Sequence, residues 1–400
     1  MTAPLSLPRP LRAHASVPAS APLAPWDGAV RRILCVRPDN LGDVLMTTPA
    51  LHALRRAAPG RHITLLTSRS GAALAPYLED VDEVIEFDAP WVAQPDGRDA
   101  PDVSLRMLDT LRAGRFDAAA IFTVYSQNPL PAATLCHLAG IPRRLAHCRE
   151  NPYGVLNDWV RDPEPEREVR HEVTRQLDLV RQIGAHAADT RMRFRLAAAD
   201  RDALDARLAE RGIATHGGWI VLHPGATAAS RRYPPERFGA VAARLAADTG
   251  APVLVTGSAG ERALAQAVIE AAGPGARPAL HDLSGALGLG ELGALIERAG
   301  VLVSNNSGPV HLASALGTPV VDLYALTNPQ HGPWQTPHRV LFDDVECRWC
   351  YRSVCPQHHH RCLLGVPPEA VAQAASALLA APPPEPAAPV RQRACAPLAP

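Results

Sequence analysis

The chain has 400 residues, 47% of them hydrophobic, which is enough for two cores because single domains usually stop growing at about 100 to 250 residues. Its 40 basic residues, all of them Arg, balance 40 Asp plus Glu, so the formal net charge is zero. This balance provides no global attraction to nucleic acid, and we expect no nucleic-acid partner. Because the sequence contains no Lys, cationic chemistry must come from Arg or His.

Both ends of the chain have the composition of disordered tails. Residues 1–28 and 381–400 are rich in Pro and Ala, and so few large apolar side chains cannot offset the entropy lost on ordering. No stretch is apolar enough for a signal-peptide core or for the roughly 20 residues of a membrane span. We therefore expect a cytoplasmic protein without a transmembrane segment.

Between the tails, short apolar runs alternate with helical patterns. In the first half we predict one helix over 44–56 and strands at 33–36, 62–66, 81–87 and 118–124. In the second half we predict strands at 219–222, 252–255, 300–303 and 319–323, and helices over 236–247, 259–271, 291–298, 309–316 and 367–379. This rhythm favours two separately wound parallel sheets, one in a domain at 29–190 and one in a domain at 191–380.

Two glycine-hinged loops, 37–43 and 304–311, each lie between a predicted strand and a predicted helix. In parallel sheets, ligands bind beyond the carboxyl ends of the strands, where such loops lie. Free backbone N–H groups and the positive end of a helix dipole converge at such a turn and favour phosphate. The two loops therefore predict a phosphorylated ligand held between two nucleotide-binding halves.

The motifs in these loops resemble those of glycosyltransferase family 9, the heptosyltransferases. Residues 32–43, followed by Thr47, Pro49 and Leu54, resemble the amino-terminal signature of that family. Further motifs recur in the family's order at 223–226, 231–238, 257–261, 284–285, 307–313 and 317–319. The resemblance covers about 31–379 and implies an α/β chain with the GT-B fold. In that fold two Rossmann-like domains with parallel sheets face a central cleft, and the second domain holds most of the donor.

The resemblance also implies an activity. It points to inverting, metal-independent transfer of a heptose from ADP-heptose to a glycan or lipid-linked glycan, such as lipopolysaccharide core or a related surface glycan. Such an enzyme would need no cofactor for catalysis and would work in the cytoplasm, with peripheral association at the inner face of the inner membrane. Two alternatives stay open, a GT-B nucleotide-sugar epimerase or hydrolase, and a non-catalytic sugar-nucleotide-binding protein.

Single-displacement sugar transfer needs a carboxylate that takes the proton of the acceptor hydroxyl. Asp43 resembles the family's base, although Asp near a helix start is also a common structural choice. Asp39 is the rival carboxylate of the same loop, and we expect it to bind acceptor together with Asn40 and Gly42.

The leaving diphosphate needs a cationic partner. Arg231 falls where the family commonly has Lys, and its planar fork suits bidentate phosphate contacts; a solvated pair with Arg232 is the alternative reading. The resemblance gives Arg231 a catalytic role and implies that the donor is bound by His223, Gly225, Thr256, Gly257, Ser258, Glu261, Asn306, Ser307, Gly308, Pro309 and His311.

Four of these donor residues carry open questions. Many family members have an acidic residue where this chain has Asn306, and an amide would keep an acceptor while adding a donor, which allows a changed sugar preference. Glu261 resembles the position that contacts the donor's ribose, but a Glu that opens a helix is equally a structural choice. His223 and His311 line the cleft or pack as core residues.

A cysteine-rich segment completes the sequence signals. Cys347, Cys350, Cys355 and Cys362 occur close together, with three His residues among them. Thiolates in this pattern bind zinc or iron, and such a metal would be structural because the family's chemistry needs none. Reduced thiols that pack a loop are the alternative, since a cytoplasmic setting disfavours disulfides.

Overall fold

The computed structural model describes residues 23–92 and 101–381. The first half contains β1 Arg32–Arg37, α1 Leu41–Ala57, β2 His62–Thr67, α2 Arg69–Ala72, β3 Glu83–Glu86, α3 Pro101–Gly114, β4 Ala118–Ile121, α4 Leu130–Leu138, β5 Arg143–Cys148, β6 Asp158–Arg161 and α5 Glu172–Arg181. The second half contains α6 Ala198–Glu210, β7 Ile220–His223, α7 Pro235–Thr249, β8 Val253–Val255, α8 Arg262–Ala271, β9 Leu280–Asp282, α9 Leu289–Glu297, β10 Val301–Asn305, α10 Gly308–Leu316, β11 Val320–Leu323, β12 His338–Leu341, α11 Arg361–Leu364 and α12 Pro368–Ala380.

The strands form two six-stranded sheets in which every pairing is parallel. Their orders are β3-β2-β1-β4-β5-β6 and β12-β11-β10-β7-β8-β9. Counted from its own first strand, each sheet has the order 3-2-1-4-5-6, which is the doubly wound arrangement of a Rossmann-like domain. The chain reverses its direction of winding between β1 and β4 in one sheet and between β7 and β10 in the other. The prediction of two parallel α/β sheets is confirmed.

The central strands are buried on both faces because helices cover both sides of each sheet. Strand β10 is wholly buried, and only the first residue of β1 retains partial exposure. This explains why the sequence shows these strands as continuous apolar runs and not as alternating patterns. The helix α12 packs on α7 and against β10 and β11, so the end of the described chain closes the second half.

Four strands are absent from the sequence prediction, namely β5, β6, β9 and β12. Strand β5 was not predicted because it begins with two Arg residues and so does not show a continuous apolar run. The guanidinium of Arg143 bonds Asp158 on β6, and that of Arg144 bonds backbone carbonyls including that of Val155. These two arginines are therefore tied into the fold. The polar-looking stretch that begins at residue 143 is a strand and not a loop.

The predicted amino-terminal tail ends earlier than residue 28. Trp26 is 3% exposed, and its indole N–H donates to Asp158 Oδ2 over 2.8 Å. The guanidinium of Arg143 lies over the same ring. Residues 23–28 therefore belong to the fold, because burial of one large aromatic side chain fixes a segment that is otherwise poor in apolar residues. The rest of the predicted tails, 1–22 and 382–400, lies outside the described residues, and the boundary at residue 190 stays a prediction. In the described part of the chain, no helix combines the length and apolarity needed to cross a membrane.

Candidate active site

The two glycine-hinged loops lie at the switch points of the two sheets and meet across the cleft. The first loop follows β1 and leads into α1, and the second follows β10 and leads into α10. At Gly42 the two halves touch so closely that a Cβ would lie 2.6 Å from Cδ2 of His311. Only glycine permits this approach, so the start of α1 is held against α10 and the loops face one cleft.

The first loop is built on a buried ion cluster. Arg37, at the end of β1, is wholly buried. Its Nε lies 3.2 Å from Asp39 Oδ2, and its Nη2 lies 3.3 Å from Asp43 Oδ1 and 2.8 Å from Glu172 Oε1. One guanidinium therefore serves three carboxylates, which fixes the loop carboxylates relative to helix α5.

Asp43 has protein contacts at both carboxylate oxygens, yet its side chain stays partly exposed. Its Oδ2 accepts the backbone N–H of Asn40 over 3.2 Å, which caps the start of α1. Its Oδ1 faces Arg37 and also lies 3.8 Å from Nε2 of His331, which comes from the second half of the chain. The side chain keeps 16% exposure. A capping role and access to a ligand thus coexist in one carboxylate.

The other two carboxylates of the cluster are more deeply buried. Burial raises the pKa of Asp39, against the charge of Arg37, and Asp39 Oδ1 also accepts the Gln127 amide over 2.6 Å. Burial likewise raises the pKa of Glu172 to about 7, although the Arg37 charge opposes it. Protons are thus held more readily by Asp39 and Glu172 than by an ordinary carboxyl group, whereas Asp43 is the member of the cluster that reaches the cleft.

On the opposite side of the cleft, Arg231 has no carboxylate partner among the residues that the structure describes. It is half-buried, and its Nε has no hydrogen-bond partner. Burial and then the positive charge of Arg231 lower the pKa of His331 well below its usual value. The loop that carries Arg231 is held by Ser230, whose N–H and hydroxyl both donate to backbone carbonyls of the cysteine-rich segment. A rigid cation therefore faces the cleft with its charge uncompensated.

The second half also contains a cavity of about 270 Å³, to which Leu41 of the first half contributes. Its polar wall and turns contain seven of the predicted donor-binding residues, namely His223, Thr256, Gly257, Ser258, Glu261, Gly308 and Pro309. Its apolar wall is formed by Leu41, Leu283, Leu287, Leu289, Leu292 and Leu312. An apolar slot with polar groups along one edge suits a flat base with an attached sugar.

The polar edge of the cavity is internally ordered. His223 Nδ1 lies 3.0 Å from Thr256 Oγ1, and burial lowers the pKa of His223 to about 4, so its ring is neutral. Glu261 Oε2 accepts both the N–H and the hydroxyl of Ser258 over 2.8 Å. A Cβ on Gly225 would lie 2.3 Å from Glu261 Oε1, so only glycine admits this carboxylate. One oxygen of Glu261 thus caps a turn while the residue lines the cavity, so its structural role is observed and its contact with the donor's ribose stays a prediction.

Of the four remaining predicted donor residues, Asn306, Ser307 and His311 lie just before and within the first turns of α10, and Gly225 lies in the loop after β7. Asn306 and His311 are buried, whereas Ser307 and Gly308 are half-buried at the helix start. Nδ1 of His311 has no hydrogen-bond partner, and burial lowers the pKa of this ring well below its usual value. The sequence therefore identified groups that do converge, but their individual roles stay predictions.

Several residues at the site carried no usable sequence signal. Glu172 lies 135 positions from Arg37, whose loop the sequence did identify, and His331 lies in a segment without a motif. Gln330 is wholly buried in the first half, where its carbonyl accepts the Glu172 N–H and its Oε1 accepts the Tyr125 N–H. This anchoring places the neighbouring His331 against Asp43. The leucines of the cavity were missed because such residues normally indicate core.

The cysteine-rich segment borders the cleft. Tyr351 contacts Tyr125 of the first half through the two phenol groups. Cys347 Sγ lies 3.7 Å from His359 Nε2. Within residues 23–92 and 101–381, however, no three His, Cys, Asp or Glu side chains are grouped as metal ligands. The structural metal predicted at Cys347, Cys350, Cys355 and Cys362 is not tested by this arrangement, so it stays a prediction.

Comparisons with known proteins agree with this geometry. Residues 104–360 match the sequence model of glycosyltransferase family 9 (heptosyltransferase). The lipopolysaccharide heptosyltransferase 2 of Escherichia coli K12 is 24% identical over 349 residues, which cover 86% of this chain and 97% of that protein.

Solved structures show the same fold. A glycosyltransferase family 9 protein from Veillonella parvula superposes with a TM-score of 0.71 at 25% identity and covers 88% of this chain and 97% of its own. The ADP-heptose lps heptosyltransferase II of Escherichia coli has a TM-score of 0.67 at 22% identity, with 87% and 98% covered. The predicted GT-B fold is confirmed. Since the family match spans more than half of its length, the chain belongs to glycosyltransferase family 9 and is a glycosyltransferase.

Proposed function

We propose that the protein transfers a heptose from ADP-heptose to a glycan acceptor of the lipopolysaccharide-core type. The observation that carries the proposal is Arg231, which has no carboxylate partner among the described residues and whose charge acts on His331, the neighbour of Asp43. The cavity lined by the predicted donor residues is of nucleoside size. The choice of sugar and acceptor is supported by the name of the Escherichia coli relative, a lipopolysaccharide heptosyltransferase. Membership of a transferase family disfavours the epimerase, hydrolase and non-catalytic alternatives.

The reaction is a single displacement. The acceptor hydroxyl attacks the anomeric carbon, the bond from that carbon to the diphosphate oxygen breaks, and ADP leaves while the configuration inverts. Asp43 takes the hydroxyl proton. Asp39, Asn40 and Gly42 bind the acceptor.

Arg231 and the amide groups at Ser307 and Gly308 receive the negative charge that develops on the departing diphosphate. The amides lie at the start of α10, where the helix dipole favours an anion. Because these groups come from the chain itself, we propose metal-independent catalysis. Transfer rates in the presence of EDTA should equal those in its absence, and a loss that Mg²⁺ restores would contradict this.

A structural zinc or iron at the four cysteines is a separate proposal. It rests on their spacing in the sequence, and no step of the reaction runs through it. Elemental analysis of the purified protein tests it, with the Cys347→Ser and Cys350→Ser variants as matched controls. About one metal ion per chain that disappears in both variants is the expected result.

The site of action follows from the proposed acceptor. We propose that the protein works in the cytoplasm and associates peripherally with the inner face of the inner membrane, where a lipid-linked core glycan would be presented. Cell fractionation tests this, and release from membranes by high salt is the expected result.

The decisive test of the proposed function combines binding with transfer. Calorimetric titration with ADP-heptose, ADP-glucose, UDP-GlcNAc and GDP-mannose should give tight binding of ADP-heptose alone. Incubation of ADP-heptose with a heptose-acceptor core glycan should then yield ADP and an extended glycan. Consumption of ADP-heptose at an equal rate without acceptor would instead indicate a hydrolase or epimerase.

A further inference from the structure

Asp322 on β11 is a buried carboxylate that the proposed reaction does not use. It is wholly buried, and it forms no ion pair with any residue that the structure describes. Its Oδ1 has no hydrogen-bond partner, and burial raises its pKa to about 8. A group this costly to bury usually has a specific task. Among the described residues, the one side chain bonded to it is that of Asn306, over 2.9 Å.

The amide of Asn306 can adopt only one orientation in this setting. Its Nδ2 donates to Asp322 Oδ2 and to the backbone carbonyl of His331, both over 2.9 Å. A backbone carbonyl can only accept, so the amide nitrogen must face it, whatever the protonation state of Asp322. Both N–H groups are then used inside the protein. The earlier expectation that this amide adds a donor for the ligand is wrong, because both of its N–H groups already have partners.

The remaining polar atom of the amide is Oδ1. It accepts no hydrogen bond from the described residues, and Asn306 retains 5% exposure. Asn306 is therefore a hydrogen-bond acceptor without charge. It can satisfy a hydroxyl group of a ligand but has no hydrogen to offer to a carbonyl or a carboxylate.

The position of Asn306 indicates which part of the donor meets this oxygen. The residue directly precedes Ser307 and Gly308, where the diphosphate is proposed to bind. It also bonds the carbonyl of His331, whose ring lies 3.8 Å from Asp43. Asn306 thus lies between the groups that hold the leaving group and the proposed base. In a sugar diphosphate, that interval is occupied by the sugar.

We infer that Asn306 is a specificity-determining residue that accepts one hydroxyl of the transferred sugar through Oδ1, and that Asp322 is the residue that positions it. This inference rests on the proposed transfer reaction and deepens it. Use of an amide in place of a carboxylate keeps the acceptor while avoiding a second negative charge next to the diphosphate and Asp43. Asp322 maintains the orientation from behind the site without contact to the sugar.

The test uses ADP-heptose and a set of analogues in which one sugar hydroxyl at a time is replaced by fluorine, which cannot donate. We expect one analogue to lower kcat/KM of the native protein about three- to tenfold, the range of one neutral hydrogen bond. Asn306→Ala should show a similar loss with ADP-heptose itself and no further loss with that analogue. Equal discrimination by the native protein and by Asn306→Ala across the whole set would overturn the inference.

The role of Asp322 is tested by two substitutions of similar size. Asp322→Asn keeps an oxygen that accepts the Asn306 amide and should retain discrimination within about twofold. Asp322→Leu removes that acceptor and should weaken discrimination as Asn306→Ala does. If Asp322→Leu discriminates among the analogues as the native protein does, Asp322 has no positioning role.

Two controls separate this inference from general damage and from the proposed function. Asn157→Ala removes another amide that bonds the backbone, at Arg144 and Pro142 in the first half, and should change stability without changing discrimination. If the native protein turns over a different nucleotide sugar, the heptose proposal fails, and the same comparison is made with fluorinated forms of that sugar. If it turns over none, the transfer reaction and the inference both fail.

Discussion

The two sides of the cleft differ in whether their cationic side chain has partners of opposite charge. In the first half, Arg37 lies within 3.3 Å of three carboxylates, so cation and anions compensate one another inside the fold. In the second half, Arg231 has no carboxylate partner in the described parts of the chain, and the buried Asp322 has no cation. The cation of the first side thus has anionic partners within the fold, whereas the cation of the second side is left to pair with an anionic ligand.

This difference suggests a division of labour. Proton transfer needs a carboxylate in a fixed place, and a cluster of fixed counterions provides that before any substrate arrives. Departure of a diphosphate needs positive potential that is not already neutralised, and an unpaired Arg near a helix start provides it. The predictions below separate the two sides by the step that each variant affects.

The largest effect is expected on the first side, from Asp43→Asn. Loss of the base should lower the transfer rate by about 10²- to 10⁴-fold. Donor affinity, measured by calorimetry, should stay within about twofold because the donor cavity lies mainly in the other half. Asp39→Asn is the matched comparison from the same loop; because Asp39 is proposed to bind the acceptor, this variant should raise KM for the acceptor and lower kcat far less than Asp43→Asn does. The opposite ranking of the two variants would identify Asp39 as the base.

On the second side, Arg231→Ala should lower the transfer rate by about 10²- to 10³-fold, as expected when a group that stabilises developing charge is removed. Unlike Asp43→Asn, this variant should also weaken binding of ADP. Arg231→Lys should recover part of both losses because it restores the charge without the fork. The neighbouring Arg232 is exposed and provides the control. Arg232→Ala should change the transfer rate and the affinity for ADP by less than threefold each. Equal effects of the two alanine variants would contradict the assignment.

A smaller effect is expected on stability when the ion cluster is altered. The pKa of Glu172 is raised to about 7, so the folded protein retains a proton that the unfolded chain releases above its ordinary carboxyl pKa. The stability from this proton is present at low pH and is lost as pH rises from about 4.5 to about 7, by at most roughly 1.4 kcal/mol per pH unit.

Glu172→Gln removes this titration, so the variant should gain stability relative to the native protein as pH rises through that window. Urea unfolding at several pH values measures the difference. Glu210→Gln, at an exposed residue without an ion pair among the described residues, is the matched control and should give curves parallel to the native ones. Parallel curves for Glu172→Gln as well would show that its proton does not contribute to folding.

The smallest effect is expected where the two sides touch. Gly42→Ala places a Cβ 2.6 Å from the His311 ring, and overpacking of this kind costs about 1 kcal/mol or more. Thermal unfolding should detect the loss, and the transfer rate should fall because the loops are pushed apart. Gly154→Ala meets nothing within 4 Å and should be neutral. If both variants behave alike, the close approach at Gly42 has no consequence.

The donor side was largely predictable from the sequence. His223, Glu261 and Gly308 each belong to a short motif that can be recognised within a few consecutive residues. The structure places all three around one cavity. The opposite wall of that cavity was not predictable, because Leu287 and Leu292 look like ordinary core residues. His331 was missed for another reason, since it reaches the cleft only through the anchoring of Gln330 in the other half.

The sequence by itself determined the two parallel sheets and the two glycine-hinged loops. These depend on local periodicity, on apolar runs and on residues close together in the chain, all of which can be read without long-range contacts. Only the tertiary structure decided which charges are compensated. Arg37 meets Glu172 across 135 positions, and the amide of Asn306 is oriented in part by a carbonyl 25 positions away. Burial determines the energetic value of such pairs, and burial exists only once the distant parts of the chain have packed together.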